Sequence, residues 1–445
     1  MPLRFLLLLA MLSCCILVSG QTSMQNENSS AAGMQKYSGG ISAKTVTASN
    51  LPIAVTSSPY NAVADCSTDS TAAIQAAIND GARSGQDVFL PPSSTGSCYK
   101  VSSLYFYHDP VTNPGYPAGA AGHSFHFYGV GPTVGDKPDA LQRSSLVSTA
   151  INTPVLNIGD GKSFAFNHAM ISDLTINANS STWVIVANQV PNYSSFRRIW
   201  IDQAGSGGGF YLHNAWSNVL LEDVNVYQTG TTIHSGSAGV KVCNDVDGGL
   251  VTLNRVSANG TMKGSGWDHG FELGSVGGVD QCGRMITPLT MINVDAELDN
   301  TGIYIGRGPR GSLRDFYTER NHIQGVYLGN NNQGPWTIEA GYMWEPYVSN
   351  AGFYIDEPNA GRSYEMNAVH ISGIFMNHIN HTAVYINDTQ KLTHGSISEN
   401  VIAPNNPQSV AIGFPQSALD WIISRNATSS FQNAIPNQRY LAPTQ

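Results

Sequence analysis

The chain has 445 residues, with 22 Lys and Arg against 31 Asp and Glu, and a formal net charge of −9. A basic nucleic-acid footprint is thereby excluded. With 45 Gly, 19 Tyr and only 12% charged residues, the composition is that of a turn-rich all-β protein. It suits neutral-sugar recognition, although extracellular β scaffolds of any function share it. The length would divide into two or three domains unless the chain is built from repeats.

Residues 1–20 place one Arg before a single apolar run that ends in Val18-Ser19-Gly20. This reads as a secretory signal peptide cut before Gln21; a lipoprotein cut, with Met11-Leu12-Ser13 before Cys14, fits imperfectly. No later apolar run has the length that spans a bilayer, so an extracellular or periplasmic location is expected. Residues 21–50 are rich in Ser, Thr, Ala and Gln and read as a flexible leader. Residues 51–149 form an N-terminal cap with the first strands. Within them Ser70 or Asp69 is placed to cap a helix over 71–80 that stops near Gly81, and Asp87 to Leu90 reads as a strand ended by Pro91-Pro92. The mature part keeps four cysteines, none in the C-x-x-C spacing that zinc sites favour. An even number in an exported chain favours disulfides, and proximity pairs Cys66 with Cys98 and Cys243 with Cys282. No metal site is expected.

Residues 150–402 are dominated by two interleaved segment types. One is Gly or Ala followed by apolar–x–apolar: GFYL from Gly209, GVKV from Gly239, GFEL from Gly270, GIYI from Gly302, GVYL from Gly325, GFYI from Gly352 and AVYI from Ala383. The other precedes each of them, as in FRRIWID from Phe196, INVDAEL from Ile292 and LRDFYTE from Leu313. Short strands repeated at a period near 30 residues stack as a solenoid whose coils bury their inward side chains only against one another. Residues i and i+2 of a strand share a face, so Val294 and Ala296 point inward while Asp295 and Glu297 point outward. The predicted architecture is a single-stranded parallel β-helix with a short N-terminal capping helix and a C-terminal tail over 403–445. In that tail, residues 417–424 are expected to pack over the last coil.

The run from Thr68 to Pro92, with TDSTAAIQAAI and then VFLPP, resembles the N-terminal signature of the pectate-lyase-like superfamily of right-handed parallel β-helix proteins. That group includes rhamnogalacturonase-like and epimerase-like domains and tailspikes. Its usual Asp-Asp-Thr is Asp69-Ser70-Thr71 here. The resemblance implies the right-handed fold and a surface that handles polysaccharide, but it does not fix the reaction.

With the repeats in register, outward positions become columns. One runs Thr175, Trp200, Asn225, Ser257, Asp295, Tyr317, Tyr342, Phe375; its neighbour runs Asn177, Asp202, Tyr227, Asn259, Glu297, Glu319, Trp344, Asn377. The second strand type contributes Tyr211, Lys241, Glu272, Tyr304, Tyr327, Tyr354 and Tyr385. A one-residue slip would turn any of these inward. Asp295, Glu297 and Glu319 thus cluster mid-helix, and they are the candidate catalytic residues. Sugar hydrolysis uses two carboxyl groups, one protonated and one ionised, and like-charge repulsion in a cluster raises one of them. Glu297 and Glu319 would be direct neighbours, near the roughly 5–5.5 Å of retaining enzymes, and Asp295 and Glu319 would lie on the diagonal at about 8 Å, inside the inverting window of roughly 6.5–9.5 Å; the spacing alone leaves both outcomes open. Inversion is what the resemblance implies. Glu319 or Glu297 would be the acid and Asp295 the base.

The candidate substrate-binding residues are Trp200, Asp202, Tyr227, Tyr317, Tyr342, Trp344, Tyr304 and Tyr327, together with His269 on a connection placed to overhang the groove. His269 reads either as a proton carrier or as a structural histidine. Lys241 and Glu272 stack on adjacent coils as a surface ion pair of small worth. Asn244 to Gly249 resembles a calcium-loop fragment without its later Glu, and reads as a surface turn. Seven N-x-S/T sequons, at Asn28, Asn179, Asn192, Asn259, Asn380, Asn387 and Asn426, matter only in a glycosylating host.

Three functions follow as alternatives. Glycoside hydrolysis of an extracellular polysaccharide is preferred. A pectate-type lyase comes next, for which Ca²⁺ would be the cofactor; hydrolysis needs none. The third is a non-catalytic glycan-binding surface protein. A polysaccharide is the expected partner, with no nucleic acid and no membrane span, as a monomer or a trimer.

Overall fold

Each coil of the chain is a long strand bent once, a tight turn, and a shorter strand. In the coil that carries Asp295, the strand Ile286–Ile292 is followed by the bend at Asn293, the strand Asp295–Glu297, a turn, and the strand Thr301–Ile305. The bend has a backbone cause. At the bend one residue enters the left-handed region, with φ of 53° at Asn293, 51° at Asp315, 55° at Asp223 and 50° at Arg198. Asn and Asp enter this region more readily than most residues. The register skips this residue: Arg197 pairs with Glu222, and the next pair is Ile199 with Val224.

The computed structural model describes residues 51–92, 98–118, 123–131, 143–161, 168–261, 265–275, 282–329, 335–356, 366–387, 393–404, 410–413 and 421–428. The signal peptide and leader read from residues 1–50 lie outside them, as does most of the 403–445 tail. Pro52–Gln445 is one compact unit. Its described strands form a 21-stranded sheet, made by the two arms of the bent strands, and an 11-stranded sheet made by the shorter ones. The strand-to-strand pairings are parallel throughout, from Ile53↔Val88 to Ile402↔Thr428. The parallel β-helix read from the repeats is therefore the fold. Its ladders extend beyond the 150–402 stretch at both ends. Residues Trp421–Ser424 do not lie over the last coil; they pair with Gly395–Ser398 and add another rung to the solenoid.

Inward positions form continuous apolar stacks. Phe210, Val240, Phe271, Ile303, Val326, Phe353 and Val384 follow one another in register with no exposed surface. Burial of each such side chain contributes about 1.5–3 kcal/mol, and that gain requires the neighbouring coils. At the N-terminal end the helix Thr71–Ser84 lays Ile74, Ala77, Ile78 and Ala82 against the first strands. It passes the expected stop at Gly81. The residue that ends it is Gly85, left-handed at φ 75° with its N–H bonded to the Gly81 carbonyl, as a glycine C-cap does. Asp69 rather than Ser70 serves the helix start, since its Oδ1 accepts the Thr71 N–H at 2.9 Å. The disulfides are Cys66–Cys98 and Cys243–Cys282, as proximity suggested. Among the described residues no helix is long and apolar enough to cross a membrane.

Candidate active site

The outward columns hold their register over every coil that bears on the site. Ser257 stands opposite Asp295 and Asn259 opposite Glu297; on the next coil Tyr317 stands opposite Asp295 and Glu319 opposite Glu297. Tyr342 and Trp344 follow, then Phe375 and Asn377. On the other side come Asn225 and Tyr227, preceded by Trp200 and Asp202. Asp295, Glu297 and Glu319 are thus gathered on one sheet face. Aromatic rings flank them along the axis: Trp200 stacks on Tyr227 at 4.6 Å, and Tyr317 on Tyr342 at 5.4 Å.

The three carboxyl groups have different partners. Glu319 accepts a short hydrogen bond from the Tyr317 hydroxyl, and its Oε1 pairs with Arg320 Nε at 3.0 Å. Burial and the bond to Glu319 push the Tyr317 phenol far above its ordinary range, so that proton stays on tyrosine. Arg320 also lies over the Trp344 ring at 4.6 Å. Glu319 is therefore a fixed acceptor held by two donors. Asp295 and Glu297 behave as a pair. Burial, opposed by the bond from Asn259, leaves Asp295 raised to about 6. Burial, then the charges of Asp295 and Glu319, push Glu297 to about 8, against the opposing pull of Arg320. Asn259 donates from Nδ2 to Asp295 Oδ2 at 2.9 Å and accepts the Glu297 N–H on Oδ1 at 3.1 Å. The other oxygen of Asp295, Oδ1, is buried with no protein donor.

Behind this face lies a polar ladder absent from the sequence reading. Asp299, Asn321 and Glu345 are fully buried at the turn of three successive coils. Asp299 Oδ1 accepts the Trp267 N–H at 2.8 Å, and the Asp299 N–H donates to Asn321 Oδ1 at 3.0 Å. Glu345 accepts two bonds from Asn321, one from the backbone N–H and one from Nδ2, each at 2.8 Å. Burial raises Asp299 well above the ordinary carboxyl range and Glu345 to about 7. Three of the repeat glycines, Gly270, Gly302 and Gly325, face this ladder. A Cβ on Gly270 would stand 2.3 Å from Asp299 Oδ2, and one on Gly302 2.8 Å from Asn321 Nδ2. The next glycine, Gly352, meets Ile379 instead, whose Cδ1 would lie 3.5 Å from a Cβ there.

The remaining candidates lie on the shorter sheet. Tyr304, Tyr327, Tyr354 and Tyr385 stack in sequence, with ring separations of 4.7, 5.6 and 5.4 Å. His269 does not overhang the carboxylates: it begins the strand His269–Leu273, packs on Tyr304 at 4.5 Å and pairs through Nδ1 with Glu272 at 3.0 Å. Lys241 and Glu272 are not a loose surface pair either. Glu272 is 4% exposed and its Oε1 lies 2.6 Å from Lys241 Nζ. Burial pushes Glu272 up, but His269 and Lys241 outweigh it and hold the carboxyl below its usual range. Among the described residues, one group has metal-ligand spacing, namely His213, Cys243 and Asp245; the Cys243 sulfur is bonded to Cys282.

Arg320, Asn259 as a bridge, and the buried acids were not singled out from sequence. Asn259 had a signal, since it stands in the column beside Glu297. The ladder's signal is broken. Asp299 and Asn321 follow Glu297 and Glu319 by two residues because Leu298 and Arg320 are left-handed, at φ 67° and 56°. Glu345 follows Trp344 directly, so a fixed offset misses it.

No family model matches the chain, and no curated protein sequence matches it significantly. Among solved structures it is similar to the catalytic unit of a thermostable GH87 alpha-1,3-glucanase from Streptomyces thermodiastaticus strain HF3-3, with TM-score 0.52 and 13% identity over 87% of this chain and 70% of that one. It is similar also to the A-module of the Azotobacter vinelandii mannuronan C-5 epimerase AlgE4, with TM-score 0.50 and 14% identity over 87% of this chain and 98% of that one. At such identity the likeness is one of fold: the chain is a right-handed parallel β-helix of the pectin-lyase type.

Proposed function

We propose that the protein is a carbohydrate-active enzyme that hydrolyses glycosidic bonds of an extracellular polysaccharide. Asp295 and Glu297 would be the reacting pair. The observation that carries this reading is geometric: Asp295 and Glu297 stand half-buried on one sheet face, beside Glu319 and inside an aromatic-flanked column. Glu297, raised to about 8, keeps a proton to give to a leaving oxygen, whereas Asp295, raised only to about 6, is ionised and can take one from water. Glu319 accepts from Tyr317 and Arg320, so of the two candidate acids Glu297 is the better. The Glu319 carboxylate, held by Arg320, would oppose the positive charge that builds on the sugar ring in an oxocarbenium-like transition state.

Two of the similar structures support a polysaccharide substrate, one being named for an alpha-1,3-glucan and the other for mannuronan. Trp200, Tyr227, Tyr342 and Trp344 would flank the chain of sugars. Secretion is part of the proposal; two disulfides fit an oxidising compartment.

A panel of neutral, uronate and pectic glycans, assayed for new reducing ends and for unsaturated uronate products, tests the reaction class. Reducing ends without unsaturation are expected. Unsaturated products would make the protein a lyase, and binding without any product would make it a lectin-like surface protein.

A further inference from the structure

We propose that Asn259 is a positioning residue that assigns the shared proton of the Asp295–Glu297 pair to Glu297. The inference rests on the reading of that pair as the reacting groups, and it assigns a role to a residue that acts through Asp295 rather than on the substrate.

The argument is one of donors and acceptors. A backbone N–H can only donate, so the bond from Glu297 N fixes the Asn259 oxygen toward it. The amide cannot flip, and its NH₂ must face Asp295 Oδ2. That oxygen is then an acceptor and cannot itself carry the proton. The proton is left to the hydrogen bond that joins the Asp295 and Glu297 carboxyl groups, for which Asp295 Oδ1 is the oxygen without another donor. A donor on the Asp295 side favours the ionised form there, and the proton resides on Glu297.

The groups facing Asp295 from each side supply no substitute donor. On the preceding coils, Ser257 Oγ donates to Asn225 Oδ1 at 2.7 Å, and Tyr227 is bonded to Ser257. On the following coil the Tyr317 hydroxyl is given to Glu319, and Arg320 pairs with Glu319. Asp299, behind, is a buried acid. Asn259 also begins an N-x-T sequon, Asn259-Gly260-Thr261. It is 5% exposed with both amide atoms engaged, so the folded protein withholds it from glycosylation.

The test is a carbon-13 titration of Asp and Glu carboxyl groups in the full chain, with Asp295 and Glu297 assigned through Asp295→Asn and Glu297→Gln. In the unsubstituted protein at pH 7, Glu297 is expected protonated and Asp295 ionised; the reverse overturns the proposal without any variant at Asn259. In Asn259→Ala the Asp295 midpoint is expected to rise by about one unit or more, the worth of a hydrogen bond to a charged group. The acid limb of kcat/KM should move by the same amount. Asn259→Ser, whose side chain is too short to bridge both partners, should behave alike. A merely structural Asn259 would lower the Tm and leave both midpoints in place, and that result overturns the proposal. If the midpoints move as expected while no glycan is cleaved, the proton assignment stands and the hydrolytic reading falls.

Discussion

Arg320 shows how one residue sets the chemistry of its neighbours. It neutralises Glu319, stacks on Trp344, and pulls Glu297 downward against burial and two negative charges. Replacing it by Gln removes a positive charge from a site with three carboxyl groups. Glu297 should then hold its proton more tightly, and the alkaline limb of the pH–rate profile should move to higher pH, as measured by kcat/KM between pH 6 and 10. An unmoved limb would mean that Glu297 is not the group titrating there. The columns containing Glu319 and Trp344 were legible in the sequence, because a two-residue strand period with a recurrent glycine fixes which side chains share a face. Arg320 was not, because a left-handed residue takes the chain out of that period.

At the scale of one coil, the Gly-apolar-x-apolar signature acquires a cause. Its glycine is not needed for a turn alone; Asp299, Asn321 and Glu345 occupy the space where a side chain would begin. Gly302→Ala would force a Cβ to 2.7 Å from the Gly325 carbonyl and 2.8 Å from Asn321 Nδ2. Overpacking of this kind costs about 1–3 kcal/mol, so a clear loss in Tm is expected, with chemical denaturation giving the magnitude. The sequence displayed these glycines plainly, yet it could not display what they make room for, since the partners lie on other coils at unequal offsets.

Over the whole molecule, coils stabilise one another through continuous apolar stacks, and buried acids are tolerated because their neutral form needs no counter-charge. This sets a direction for stability against pH. The Glu345 carboxyl is raised in the fold from 4.5 to about 7, so between those values the folded chain binds more protons than the unfolded one. Stability from this group is complete below pH 4.5 and is lost as pH rises to about 7; Asp299, raised in the same sense by burial, adds to the loss. Urea melts at pH 5 and pH 8 should show the protein more stable at the lower pH, and substituting Glu345 by Gln should flatten the difference. The fold class was legible because repetition multiplies a weak strand signal over many coils. The state of the site was not, because desolvation depends on what covers a side chain, and no periodicity in one chain reports that.

Hydrolysis at this site depends on the proton shared by Asp295 and Glu297. The most direct measurement is the pH dependence of glycan cleavage by the unsubstituted protein and by Glu297→Gln between pH 5 and 9. The unsubstituted protein should show a bell with limbs near 6 and 8. Glu297→Gln should lose its alkaline limb and fall by a factor of about 10²–10⁴, the usual worth of a general acid. Full activity with an unchanged bell in Glu297→Gln would contradict that dependence.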